Sequence, residues 1–333
     1  MTGQWKPCRP ACRTIVWVTR PRKSWSPSSA DGPGPLAALN RDLSSFWDAV
    51  RRSSQRALRS GALRTISTQA SCVRDAGVEF VVRVSDNLLR KPGATASYDQ
   101  PRNQDPFLPP DAQLTVGDVP PHHVAVLNKF NVLENHVLVV TRGFVHQESP
   151  LTAGDFSAVA AGLVGGRGLA FYNAGKIAGA SQSHKHFQLV PLPLGRDMDI
   201  PTAVLFEGAR GGIDSISHLN FRHAFFHLDT GPDQPESFGR RCCELYCQAL
   251  NTLGLVDRFD DTEANRLPPY NLLLTERWLF LAPRRRERCL DISVNGLGYA
   301  GSLFVSSPRK LEQIRSEGPM HLLRQVSIQE PPR

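Results

Sequence analysis

The chain has 333 residues, 41% of them apolar, which is enough for one large domain or two coupled ones. Its formal charge of +8 looks like a nucleic-acid signal, but Lys6, Arg9, Arg13, Arg20, Arg22 and Lys23 crowd into the first 30 residues without an acidic partner, leaving +2 for the rest. A near-neutral body excludes an argument for nucleic-acid binding from bulk charge. The only apolar run of that N-terminal stretch, residues 15–18, is far too short for a signal core or a membrane span.

Residues 1–35 are rich in Pro, Ser and Gly, and residues 1–44 are read as a disordered tail, dispensable or produced by a misassigned start, with an organellar transit peptide as the other reading. Residues 43–63 carry helical spacing, with Phe46, Val50 and Leu58 near one stripe and an end at Gly61. A strand follows at 79–85, and Arg90 and Lys91 then lead into a Pro-Gly turn. Residues 103–118 read as a proline-rich loop lying across the body. The β-rich runs 123–130 and 135–141 suit an antiparallel hairpin. His122, His123 and His136 sit at its edges and read as structural, since no phosphate-type loop accompanies them.

Ser149-Pro150 signals a helix start, and Phe156, Val159, Ala160 and Leu163 give residues 151–164 a buried helical face. Glycines 165, 166 and 168 stop it, and residues 169–173 form the next strand. Strand, strand, helix, strand, loop, strand predicts an α+β fold with a mainly antiparallel sheet and flanking helices. Neither a P-loop nor a strand-linked GxGxxG occurs.

The most informative stretch is residues 173–191, NAGKIAGASQSHKHFQLVP. In an extended strand His184, His186 and Gln188 share one face while Lys185, Phe187 and Leu189 share the other, the second being a core pattern and the first a site pattern. Residues 174–181 are mostly small and predict a cradle of backbone amides for phosphate, with Gly175 and Gly179 free to take positive φ, Ser181 offering a hydroxyl and Lys176 a charge. Three readings of the paired histidines stay open on spacing alone. They are satisfied structural groups, zinc ligands lacking the further ligands such a site needs, or one nucleophilic imidazole fed by the small-residue loop.

Residues 201–228 bring Phe206, Phe221, Phe225 and Phe226 together with His218, His223 and His227, aromatics that read as core. A helix at 236–253 carries Cys242, Cys243 and Cys247, the last two on one face and read as free buried thiols over a two-thiolate metal site. Seven cysteines without framework spacing point to a reducing compartment, and so to the cytoplasm. Residues 270–274 and 278–282 read as a hairpin. The basic run 284–290 reads as a solvated surface turn, with assistance to polyphosphate binding as the alternative. A last strand at 303–306 leads to a helix that starts at Ser307-Pro308 and ends by Gly318, and the chain beyond Gln325 reads as frayed.

The HxHxQ motif at 184–188 resembles the nucleotidyltransferase branch of the histidine-triad superfamily, represented by the diadenosine tetraphosphate phosphorylases, also called ATP adenylyltransferases. So do residues 103–111, 123–133, 135–141, 147–151, 270–275, 278–284 and 293–302, and the likeness runs from about residue 45 to about 317. The resemblance implies a histidine-triad-like body over 45–230 and a C-terminal α+β segment over 231–333 packed on it. It implies phosphorolysis of a diadenosine polyphosphate to ATP and ADP by inorganic phosphate through an adenylylated His186. His184 would orient the site and Gln188 would hold a phosphate oxygen in place of a proton donor. Asn173, Gly175, Ser181, Gln182 and Lys176 would bind ribose or phosphates, with Lys185 a weaker candidate on the opposite strand face. Lys91 would lie near the polyphosphate, and Asn128 and Lys129 on the base and ribose side. No cofactor is required by the sequence, and a divalent cation such as magnesium would accompany the polyphosphate. No membrane or specific nucleic acid is implied, and the sequence is silent on oligomeric state. The competing functions are a hexose-1-phosphate uridylyltransferase-like activity, a nucleotide sensor without turnover, and RNA binding through the tail.

Overall fold

The computed structural model describes residues 46–85, 105–256 and 266–329; the N-terminal tail and Lys91 lie outside them. The first helix, α1 (Phe46–Ser60), buries Phe46, Trp47, Val50 and Ala57. Leu58, expected on that stripe, is 50% exposed, because at 100° per residue it falls just beyond the arc that those four define. Two strands follow, β1 (Gln69–Asp75) and β2 (Val78–Val84), paired antiparallel through a turn at Ala76 and Gly77. The sequence signalled only the second. In β1 just Val73 is buried, so no apolar alternation marks it.

The main sheet begins with β3 (Thr115–Val119), β4 (His123–Leu127) and β5 (Val137–Thr141). The predicted hairpin is β4 and β5, while β3 corrects the reading of 103–118 as loop throughout. A register shift between Thr115 and Gly117 breaks the alternation that would have marked it. Helix α2 (Ala153–Val159) starts one turn later than Pro150 suggested, because Thr152 and Asp155 form a capping box. Short 3₁₀ turns then carry the chain to β6 (Gly168–Asn173), and β7 (His186–Pro191) follows the small-residue loop. The remaining strands of this sheet are β8 (Gly212–Ile213), β9 (Ala224–His227), β10 (Tyr270–Leu274) and β11 (Trp278–Pro283), with α3 (Pro235–Thr252) between β9 and β10. The strand order is β3-β4-β5-β7-β6-β10-β11-β9-β8, every neighbouring pair antiparallel. Strands from residues 270–283 therefore join the same sheet beside β6.

A two-stranded ribbon, β12 (Arg288–Cys289) with β13 (Ile292–Ser293), precedes the short helix α4 (Gly296–Tyr299). Then β14 (Ser302–Val305) pairs in parallel with β2, and helices α5 (Pro308–Glu317) and α6 (Pro319–Val326) close the chain. The expected fraying after Gln325 is corrected: Val326 and Ser327 are buried, and the Ser327 and Tyr299 hydroxyls are 2.6 Å apart. The basic turn is corrected in part. Arg285, Arg286 and Arg288 are exposed, but Arg284 is buried.

Period-two alternation sorts the sheet into two faces. Ala170, Tyr172, Phe187, Leu189, Leu272 and Leu274 pack with Phe156, Tyr246 and Trp47 from the helices α1 to α3. The other face is divided. Leu169, Phe171, Val190 and Leu273 join a core with β2, β14 and α6, while Val124, Val126, Leu138 and Val140 form a separate patch. Phe206, Phe221 and Phe225 belong to the first of these and Phe226 to the helical side, which bears out their reading as core.

Candidate active site

A cavity of about 740 Å³ opens between those two patches. Its floor is the middle of the sheet, where His186 and Gln188 of β7, Asn173 of β6 and Leu138 of β5 face out, and its walls include Phe107, Lys129, Ser181, Asn295 and Phe304. The alternation that sends Phe187 and Leu189 into the helical core is what delivers His186 and Gln188 here. Lys185 goes the other way, as expected, to a buried ion pair 3.1 Å from Asp155. Burial alone would raise the Asp155 carboxyl, but Lys185 and His123 hold it well below the usual carboxylate range.

The two histidines of the motif are not equivalent. His184 precedes β7 and does not line the cavity; its Nδ1 lies 2.7 Å from Asp105 Oδ2 and its Nε2 2.9 Å from both the Thr141 hydroxyl and the Thr141 carbonyl. Both ring nitrogens are thereby engaged. His186 donates from Nδ1 to the His184 carbonyl at 2.7 Å, which leaves Nε2 as the unprotonated nitrogen. Nε2 has no hydrogen-bond partner among the described residues, and the ring borders the cavity. Burial, helped by the charge of His184 and opposed by the His184 carbonyl and Asp105, lowers its pKa to about 4. The ring is neutral at pH 7. Phe107 packs against both imidazoles at 5.4 and 5.7 Å between centroids.

Two carboxamides show the same division of labour. The Gln188 Oε1 is held 3.0 Å from His136 Nε2, and His136 Nδ1 is 3.2 Å from the Asn128 amide nitrogen. The Asn173 Oδ1 accepts from Gly296 N and from Asn271 Nδ2, both at 2.8 Å. In each case the oxygen is tied to protein, and the NH₂ group, without a partner among the described residues, is left at the cavity. Two amide donors beside a neutral imidazole suit an anionic substrate.

The small-residue loop differs from the expected amide cradle. Its N–H groups at 175, 178, 179 and 180 bond to carbonyls of residues 173, 175 and 176, forming a 3₁₀ turn. Gly175 and Gly179 do take positive φ, 85° and 90°. At Gly179 a Cβ would sit 3.0 Å from the Asn295 backbone, so the glycine lets the loop close against the segment before α4. The part of the loop that borders the cavity is Gly179, Ser181 and Gln182.

A family model described as the Ap4A phosphorylase N-terminal domain matches residues 37–208, and one described as the ATP adenylyltransferase C-terminal domain matches residues 217–329. The chain belongs to the Ap4A phosphorylase family. It is 28% identical over 293 residues to diadenosine 5',5'''-P1,P4-tetraphosphate phosphorylase 2 of Saccharomyces cerevisiae, spanning 78% of this chain and 87% of that protein. Among solved structures, yeast Ap4A phosphorylase Apa2 in complex with AMP is 25% identical, with a TM-score of 0.70 over 86% of this chain and 97% of that one. The Apa2 complex with Ap4A aligns with the same TM-score at 24% identity, over 86% and 99%. Ap4A phosphorylases are nucleotidyltransferases, and the α+β, histidine-triad-like fold expected from the HxHxQ stretch is the one observed.

Within this family member, the cavity gathers His186, Gln188, Asn173, Ser181, Gln182, Asn128 and Lys129. It does not gather His184, which lies behind it, nor Gly175 and Lys176; Gly175 is buried against Glu148, and Lys176 is exposed away from the lining. His136, read from sequence as structural, borders the cavity and positions Gln188. Two residues carried no sequence signal of a role. Asp105 anchors His184 across 79 positions. Gln147 does more: the β6–β7 ladder runs from Gly168 opposite Pro191 to Phe171 opposite Gln188, and its next same-face rung would join Asn173 to His186. The Gln147 carboxamide occupies that rung. It donates to the Asn173 carbonyl at 2.9 Å and the His186 carbonyl at 3.2 Å, and accepts from His186 N at 2.8 Å.

Proposed function

We propose that the chain catalyses phosphorolysis of diadenosine tetraphosphate to ATP and ADP through a covalent adenylyl-His186 intermediate. The observation that carries this reading is the state of His186: neutral, with Nδ1 committed to a carbonyl and Nε2 open to the cavity. Nε2 attacks the α-phosphorus, the P–O bond to the leaving group breaks, and ATP departs with the electron pair. A phosphate oxygen then attacks the adenylyl phosphorus, the P–N bond breaks, ADP leaves, and the imidazole returns neutral with its Nδ1 proton unmoved. ATP is a weak base as a leaving group, so Gln188 at the position of a proton donor serves by holding a phosphoryl oxygen with its amide. Adenylyl transfer to ATP is the reverse of the first step.

Asn173 and Ser181 bind phosphates or ribose on one side, and Asn128 and Lys129 face the nucleoside on the other. A divalent cation such as magnesium enters on the polyphosphate as part of the substrate. A cytoplasmic location is in keeping with the free thiols of Cys72, Cys242, Cys243, Cys247 and Cys289. Among the described residues no helix is long and apolar enough to cross a membrane.

The test is incubation with diadenosine tetraphosphate in the absence of phosphate, an alkaline denaturing quench that preserves a phosphoramidate, and mass spectrometry of the peptide spanning the motif. One adenylyl group on wild-type protein and none on His186→Ala is the expected result. Binding without ATP release would point instead to a sensor, and undiminished turnover by His186→Ala would end the reading.

A further inference from the structure

The Arg284 guanidinium is 2% exposed and has no carboxylate within 4 Å among the described residues; the Tyr299 ring lies 5.9 Å from it, and Glu287 acts on it only from beyond ion-pair distance while paired with Arg288. Its donors reach only neutral oxygens. Nη1 donates to Asn271 Oδ1 at 2.5 Å, Val294 O at 2.8 Å and Ala178 O at 3.4 Å; Nη2 donates to Arg286 O at 2.8 Å and Glu287 O at 3.2 Å; Nε donates to Val326 O at 3.3 Å. A guanidinium remains charged in proteins, and a buried charge without a counter-ion is costly. Such a charge persists where something outside the fold repays it.

Its partners show where that repayment comes from. Ala178 belongs to the loop whose next residues border the cavity, and Val294 precedes Asn295 in the opposite wall. Asn271 passes the contact on to Asn173 Oδ1 through its own amide, which also donates to Ala178 O. Because the Val294 carbonyl turns towards Arg284, the Asn295 N–H of the same trans peptide turns away from it. One cation thus ties together the three segments that carry the polar side of the cavity.

We infer that Arg284 is a positioning residue that supplies an incompletely compensated positive charge behind the polyphosphate-binding wall, making affinity for a nucleotide depend on its phosphate charge. The inference rests on the cavity being the nucleotide site. The exposed arginines that follow it in sequence have a different role, since Arg285 and Arg286 fasten to Gln325 at the surface and Arg288 pairs with Glu287.

The test compares adenosine, AMP, ADP and ATP binding by calorimetry for wild type, Arg284→Gln, Arg284→Lys and Asn271→Asp, each checked for folding by circular dichroism. The Asn271→Asp change places a carboxylate against the guanidinium and neutralises the charge without removing it; it also removes the amide donors to Asn173 and Ala178, so it is compared with Asn271→Ala, which loses the same donors without adding the charge. Wild type should bind more tightly as phosphate charge rises. Arg284→Gln and Asn271→Asp should lose about tenfold or more in ATP affinity with much smaller losses for adenosine, while Arg284→Lys keeps most of the wild-type ATP-to-adenosine ratio. If Arg284→Gln does not fold, Asn271→Asp and Arg284→Lys decide the matter. Equal losses for adenosine and ATP, or an unchanged ratio in Asn271→Asp, would overturn the inference. Failure of wild type to bind adenine nucleotides at all would instead overturn the site assignment on which it depends.

Discussion

The chemistry proposed for His186 needs an imidazole that stays neutral in acid, and pH tests this directly. The ring is 4% exposed, its Nδ1–H is held by the His184 carbonyl, and a second proton can enter only at Nε2. Burial lowers the pKa from 6.5 to about 4. Folding then excludes a proton that the unfolded chain binds below pH 6.5. The stability concerned is complete above that pH and falls as the pH drops towards 4, by roughly 3 kcal/mol in all. For reactivity the consequence is larger in visible terms. At pH 5.5 a ring of pKa about 4 is still more than about 90% neutral, whereas an ordinary histidine is about a tenth neutral. The assay is the first-order rate of ATP release in a single turnover, with enzyme in excess over diadenosine tetraphosphate and no phosphate present, from pH 5 to pH 8. A rate nearly level down to pH 5.5 is expected. A rate that halves near pH 6.5 would refute the reasoning.

Two further outcomes follow from the residues around that ring. Gln188→His places a protonatable group where the amide stands, so release of AMP by water should rise at least about tenfold relative to ADP formation; an unchanged AMP-to-ADP ratio in an active variant would show that the amide does not govern the choice of acceptor. Gln147→Ala removes the side-chain rung between β6 and β7 and strands His186 N and the His186 carbonyl, while the Asn173 carbonyl keeps the Gly175 N–H. At about 1–3 kcal/mol for each of these two unsatisfied buried groups, a loss of about 2 kcal/mol or more in urea unfolding is expected, together with slower adenylylation; a loss below about 1 kcal/mol would mean that the strands close on their own.

Local patterning along the chain is enough to locate the strand that bears the motif and to tell which side of it is chemical. Period-two alternation over His186, Phe187, Gln188 and Leu189 is a local property of an extended chain, and the core pattern on one face leaves the other for function. Helix α3, the β4–β5 hairpin and the positive φ of Gly175 and Gly179 were legible for similarly local reasons. Tertiary structure alone decided which histidine is open, because that depends on Asp105 and Thr141 arriving at His184 from distant positions in the chain. It also decided that the small-residue loop turns half of its amides back onto carbonyls of residues 173–176, that His136 serves Gln188, and that Gln147 replaces a backbone rung. Arg284 marks the boundary most clearly: in a run of basic residues it looks like solvated surface, and only the convergence of carbonyls from four separate segments makes it a buried charge. Local periodicity tells a side chain which face to take, but its partners, and so its protonation and its role, are set by contacts that cross the whole chain.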